Sequence, residues 1–148
     1  MVDNIINNVV RNDKTVEYVK GNMIITTSNV TLENLHITGD LIVSAAVGDG
    51  DLTIKNTTVD GMFLVLGGGE NSIHIVNTTL GKVVVNKKHS KVRIVIDKDS
   101  KIIKVYVKSS ITIESAGEIN EVSLETESDN TVDLKGKFKK LNIKKIVY

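Results

Sequence analysis

VTLENLHITGDLIVSAAVGDGD (residues 30–51), LTIKNTTVDGMFLVLGGGENS (52–72) and IHIVNTTLGKVVVNKKHSK (73–91) are one pattern written three times. VRIVIDKDSKIIKVYVKSS (92–110), ITIESAGEINEVSLETESDNT (111–131) and VDLKGKFKKLNIKKIVY (132–148) continue it more loosely. Each copy is about 20 residues long and holds two short runs rich in Val, Ile and Leu. A unit this small cannot bury its own apolar face, so the copies must stack.

Aligning the first run places Val30/Leu32, Leu52/Ile54, Ile73/Ile75, Val92/Ile94, Ile111/Ile113 and Val132/Leu134 in the same two columns. Thr31, Thr53, His74, Arg93, Thr112 and Asp133 sit between them. Period-2 alternation puts the aliphatics inside and the polar residues outside. The second run aligns Leu41/Val43, Phe63/Val65, Val83/Val85, Val105/Val107, Val122/Leu124 and Leu141/Ile143, and Met23 and Ile25 extend it upstream. Short strands recurring in the same phase, without two-residue hairpin signals, predict a parallel β-helix. The fold class is therefore all-β: a single right-handed parallel β-helix of six to seven short coils. At a coil spacing of ~4.8 Å it makes a rod roughly 30 Å long.

Asn34, Asn56 and Asn77 share one turn position, where stacked side-chain amides would bond from coil to coil. Gly39, Gly61 and Gly81 precede the second run, at a bend read as needing glycine's φ freedom. Val2, Ile5, Ile6, Val9 and Val10 follow helical spacing, with Asp3 as N-cap. They predict a helix over 3–11 that lids the N-terminal end. Residues 1–22 then form a cap and partial coil, and residues 23–148 the β-helix.

Composition agrees. Aromatic residues are 3% of the 148, and there is no proline and no cysteine. Every residue can donate to a ladder, and disulfides and thiolate metal sites are excluded. No apolar run reaches the ~18 residues of a membrane span, so no membrane insertion is expected. MVDNIINNVVRNDK (1–14) is too polar for a signal peptide. Location at a cell or particle surface follows if the chain is an excised domain; otherwise it is cytoplasmic or viral. Net charge is +1, unevenly spread: residues 1–81 hold 4 basic and 9 acidic residues, and residues 82–148 hold 15 and 9. The rod is thus electrically polar along its axis.

The segment from Asn29 to Lys88, through VTLEN (30–34), GDLIV (39–43), VGDGDLTIKNTTVDG (47–61) and GGGENSIHIVNTTLGKVVV (67–85), resembles parallel β-helix modules in secreted and surface-layer proteins of Gram-positive bacteria. The overall form is similar to small members of the pectate-lyase-like superfamily, an architectural group that includes the cellulose-adhering tapirins. That resemblance implies spacer, adhesion or carbohydrate-contact roles. A looser analogy is to bactofilins, filaments of short stacked coils.

One column breaks the inside–outside rule. Outward positions of the second run read Ile24, Ile42, Leu64, Val84 and Tyr106, then Ser123 and Asn142. A row of exposed aliphatics suits a protein or polysaccharide surface, or another copy of the chain. With Tyr106 as its one ring, direct sugar stacking is the weaker form. Beside the row, Lys104/Glu121/Lys140 and Lys108/Glu125/Lys144 alternate in sign across three coils and read as cross-strand pairs. The lysine-rich last coil, including Lys140, Lys144, Lys145 and Tyr148, is a candidate for end-to-end contact in a filament or coat. Nucleic acid is not expected there, because only Phe138 and Tyr148 interleave the lysines. Asp49 and Asp51 in the Gly48–Asp51 turn, near Asp40, Asp60 and Glu70, are a weak Ca²⁺ candidate; no other cofactor is expected. A lyase would need such acids beside a base such as Arg93, aligned here with His74. The alignment reads that pair as a polar face, with no catalytic residue.

Overall fold

The computed structural model describes residues 3–6, 15–70, 73–126 and 129–144. They form a single all-β parallel solenoid of the right-handed type with about six turns. The first sheet stacks β1 (Asp3–Ile6), β3 (Asn22–Ile25), β6 (Leu41–Val43), β8 (Thr58–Val65), β10 (Thr79–Val85), β12 (Lys101–Val107), β14 (Glu118–Leu124) and β16 (Phe138–Ile143) in that order. β2 (Glu17–Val19) and β5 (Leu35–Ile37) pair at its side, and β5 also pairs β8. The second sheet stacks β4 (Val30–Glu33), β7 (Leu52–Lys55), β9 (Ile73–Val76), β11 (Val92–Ile96), β13 (Ile111–Ser115) and β15 (Val132–Lys135). Neighbouring strands run parallel, as coil-on-coil stacking requires.

Both inward columns are buried as the alternation predicts: Val30, Leu32, Leu52, Ile54, Phe63, Val65, Val105 and Val107 are all at most 2% exposed. A third inward column completes the interior. Ile37, Val59, Leu80 and Ile102 stack in register, flanked by buried Thr57, Thr78 and Ser100. Those hydroxyls are satisfied at the corner, so burying them costs little. Thr57 Oγ1 donates to Lys55 O at 2.8 Å, Thr78 Oγ1 donates to Val76 O at 2.8 Å, and Ser100 Oγ donates to Asp97 Oδ1 at 2.7 Å.

The asparagine ladder forms. Asn56 Nδ2 donates to Asn34 Oδ1 at 3.1 Å, and Asn77 Nδ2 donates to Asn56 Oδ1 at 2.8 Å. All three residues adopt left-handed φ, +59°, +48° and +44°, which Asn tolerates better than most residues.

Three expectations need correction. Asp3–Ile6 is strand, not the start of a helix, and it pairs β3 with Ile5 beside Ile24 and Ile6 beside Ile25. β3 would otherwise present an open ladder edge, and β-branched Ile5 and Ile6 suit a strand better than a first helical turn. The rest of the 3–11 helix lies outside the described residues. Gly39, Gly61 and Gly81 are not in the left-handed region. Gly39 and Gly61 are needed for space instead: a Cβ on Gly61 would lie 2.5 Å from Gly39 O. Finally, β11 is offset by two residues against β9, so Ile94 pairs Ile73 and Val95 pairs His74. Arg93 N–H instead reaches Gly69 O at 3.1 Å, which separates Arg93 from His74.

Candidate functional site: the outer face of the first sheet

Strand register brings the apolar row together as aligned. Ile24 lies beside Ile42, Ile42 beside Leu64, Leu64 beside Val84, and Val84 beside Tyr106. Ser123 and Asn142 continue the line. β1 adds Ile5 at the other end, 67% exposed. Ile24, Ile42, Leu64 and Tyr106 are partly exposed, whereas Val84 is down to 9%.

The row is not uniform. At its far end Lys82 Nζ and Lys104 Nζ lie 5.1 Å and 4.6 Å from the centre of the Tyr106 ring. Two cations over one ring satisfy its π face and leave that face closed to other ligands. Lys104 is anchored by Glu121 at 2.6 Å. The Glu121 hydrogen bond, with a smaller part from Tyr106, raises the Lys104 pKa, and the same bond holds Glu121 below the usual carboxylate range. At the middle of the row the opposite holds. Met62 and Leu66 flank Leu64 on the outer face, and all three are partly exposed. The apolar surface is therefore widest at β8 and closes toward β12. Reading one column at a time missed Met62, Leu66 and Ile5. The signal was present in MFLVL (62–66), where alternation fails altogether.

One expected charge row forms in full, with Glu121 receiving Lys104 from one side and Lys140 from the other, the latter at 3.4 Å; the other forms in part, with Lys144 3.7 Å from Glu125 and no Lys108–Glu125 ion pair among the described residues. Lys140 and Lys144 thus fold back toward the preceding coil rather than toward the end of the rod. Lys145 and Tyr148 lie outside the described residues. The interior columns are open in the last coil, where Leu141 is 49% and Ile143 74% exposed.

The acids of the Gly48–Asp51 turn and its neighbours go to separate partners. Asp49 Oδ1 accepts from Lys87, whose side chain is only 5% exposed, and from Ser90 Oγ at 2.7 Å. The Lys87 hydrogen bond, then that of Ser90, holds the Asp49 carboxyl below its ordinary range. Lys87 Nζ also lies 2.6 Å from Ser90 Oγ, which knits the turn to the start of β11. Asp51 has one carboxylate oxygen buried without a hydrogen-bond partner. Asp40 Oδ1 accepts the Met62 N–H at 2.7 Å, and Asp60 Oδ1 lies 2.8 Å from His36 Nε2, whose ring stacks on Tyr18. Glu70 is exposed. No three His, Cys, Asp or Glu side chains converge as metal ligands among the described residues. Arg93 Nε pairs with Glu114 one coil on.

No protein-family model matches the sequence, and neither a curated protein nor a solved structure matches it.

Proposed function

We propose that the chain is a non-catalytic contact module, a rigid solenoid that presents the outer face of its first sheet to another macromolecular surface, as in adhesion or assembly at a cell or particle surface. One observation carries this reading. Met62 to Leu66 reads as a strand buried on both faces, yet in the isolated chain only Phe63 and Val65 are buried. An apolar strand with one open face is the mark of a surface that is covered in use. The resemblance of residues 29–88 to modules of Gram-positive surface proteins supports the same role. The lysine clamp on Tyr106 favours a protein surface over a sugar plane.

The test is the triple substitution Met62→Thr, Leu64→Thr and Leu66→Thr, which keeps strand-forming side chains while removing the apolar area. The wild type should self-associate, or be retained on insoluble cellulose, chitin or a Gram-positive cell-wall preparation, and the triple variant should lose that contact. If the wild type makes none of these contacts, or the variant keeps them all, the reading fails.

A second reading, end-to-end stacking into a filament or coat, is favoured by Leu141 and Ile143, which stand in interior columns yet are exposed in the last described coil. Electron microscopy at raised protein concentration tests it, with filaments expected; dispersed single particles would dismiss it.

A further inference from the structure

The surface described above has a second property, its distribution of charge, which selects a particular occupant and orientation. We propose that the occupant is a second copy of the chain, laid face to face with its solenoid axis reversed. This rests on the reading of the outer face as a contact surface and adds the partner and the geometry.

Two outward columns border the apolar row. One carries Asp40, Met62, Lys82, Lys104, Glu121 and Lys140 in successive coils. The other carries Leu66, Asn86, Lys108, Glu125 and Lys144. Identical faces can meet about a two-fold axis along the rod or along the strands. An axis along the rod sets each coil against itself and exchanges the two borders. Lys104 would then face the partner's Lys108, Glu121 the partner's Glu125, and Lys140 the partner's Lys144. Every one of these is a like-charge pair, so the parallel arrangement is self-repelling.

An axis along the strands keeps each border facing itself and reverses coil order. Centred on Leu64, it sets Ile42 against Val84, Ile24 against Tyr106 and Asp40 against Lys82, each with its counterpart in the other copy. Asp40 and Lys82 are two coils apart within one chain, ~10 Å at the coil spacing, so they do not pair with each other there; Asp40 Oδ1 accepts the Met62 N–H, which leaves Oδ2 to meet Lys82 of the other copy. Lys82 has no carboxylate partner among the described residues and rests over the Tyr106 ring. Centring the axis one coil earlier would place Asp40 against Asp40, and one coil later Lys82 against Lys82. The charges therefore select the direction and, among axes that pass through a coil, the register. Beyond these five coils Ile5 of β1 faces Ser123 of β14, and the last coil, with Lys140 and Lys144, overhangs the partner.

Area sets the strength. Five coils by three outward columns cover ~20 Å by ~20 Å, about 800 Å² over both copies, at the low end for specific interfaces. The pair should form weakly, with a dissociation constant on the order of 10 μM to 1 mM.

The chain has no cysteine, so single thiols can report the geometry. Ile24→Cys mixed with Tyr106→Cys should crosslink through a bifunctional thiol reagent of about 10 Å span, the face-to-face distance of packed sheets. Ile24→Cys alone should not, since its two copies would be separated by four coil spacings, ~19 Å. Sedimentation velocity should show reversible dimers, weakened about five- to tenfold by Lys82→Glu at low salt, and less so as salt is added. Crosslinking of Ile24→Cys to itself, or no effect of Lys82→Glu, overturns the antiparallel pairing. If the wild type stays monomeric at about 1 mM yet the triple threonine variant loses binding to cellulose, chitin or cell wall, self-pairing fails while the contact reading stands. If neither is seen, both fail.

Discussion

Gly61 and Gly81 fall at the same bend in consecutive coils, where β8 carries Asp60 and Gly61 opposite the single Gly81 of β10, and the structure assigns them opposite sensitivities. A Cβ on Gly61 would stand 2.3 Å from Asp40 Oδ1, 2.5 Å from Gly39 O and 2.7 Å from Gly39 C. Two of these are backbone atoms of the preceding coil, held by the Gly61 N–H bond to Gly39 O at 2.9 Å, so no rotamer change relieves the clash. A Cβ on Gly81 would meet nothing within 4 Å. Gly61→Ala should therefore cost ~3 kcal/mol or more, the upper range for overpacking. Gly81→Ala should stabilise by ~0.5–1 kcal/mol, because alanine loses less chain entropy on folding and nothing opposes it. At about 2–4 °C per kcal/mol for a chain of this size, Gly61→Ala lowers Tm by ~6–12 °C and Gly81→Ala raises it by ~1–4 °C. Urea titration followed by circular dichroism gives the same ordering in midpoint. Adding Asp40→Ala to Gly61→Ala should not restore stability, since the carbonyl clash remains. Full rescue by that second change, or equal damage from the two alanines, would refute the spatial argument.

Three further outcomes follow from the turns and ion pairs. Asn56→Ala should destabilise by ~2–4 kcal/mol, combining two lost amide bonds with an alanine at φ +48°, whereas Asn56→Gly should lose only the bonds, ~1–2 kcal/mol; equal urea midpoints would contradict the left-handed assignment. Asp49→Ala should destabilise more than the double variant Asp49→Ala with Lys87→Met, because removing the carboxylate alone strands a buried ammonium; the comparison is again by urea midpoint. Asp49, Glu114, Glu118, Glu121 and Asp133 all titrate below their ordinary values, each chiefly through a hydrogen bond from a lysine or arginine. A depressed folded-state pKa gives stability that is complete above the ordinary carboxylate range, about 4, and is lost as pH falls through the lowered values. Urea midpoints should hold from pH 7 to about 5 and fall below about 4, and a midpoint that rises on acidification would reverse the sign.

Two of the three interior columns were legible because Val, Ile and Leu alternate cleanly in them. The third was not, because Thr57, Thr78 and Ser100 interrupt it and read as surface residues. Their burial depends on hydroxyl bonds to the corner backbone and to the Asp97 carboxylate, which periodicity does not encode. The asparagine ladder was legible from spacing alone. β1 was misread because Ile5 and Ile6 satisfy helical spacing as well as strand alternation, and the open edge of β3 decides between them. On the outer face of the first sheet, the central row was visible in aligned strands, but its width at β8 and its closure at Tyr106 depend on neighbouring columns. The His74–Arg93 alignment failed by two residues because Val92 and Ile94 are both aliphatic and suit the inward position equally.

That two-residue offset between β9 and β11 has a consequence for how such a protein can change over time. Sliding a strand by one residue along its neighbour would turn it inside out, whereas sliding by two leaves every buried side chain buried. The wall therefore tolerates a discrete set of alignments that share one interior and differ only in which surface groups stand side by side. A two-residue slide of β11 would bring Arg93 alongside His74 and keep Val92 and Ile94 against Ile73 and Ile75, at the cost of Ile96, which would pass beyond the end of β9. Mutation can thus recompose the exterior of this solenoid while most of its interior pairings keep their aliphatic character.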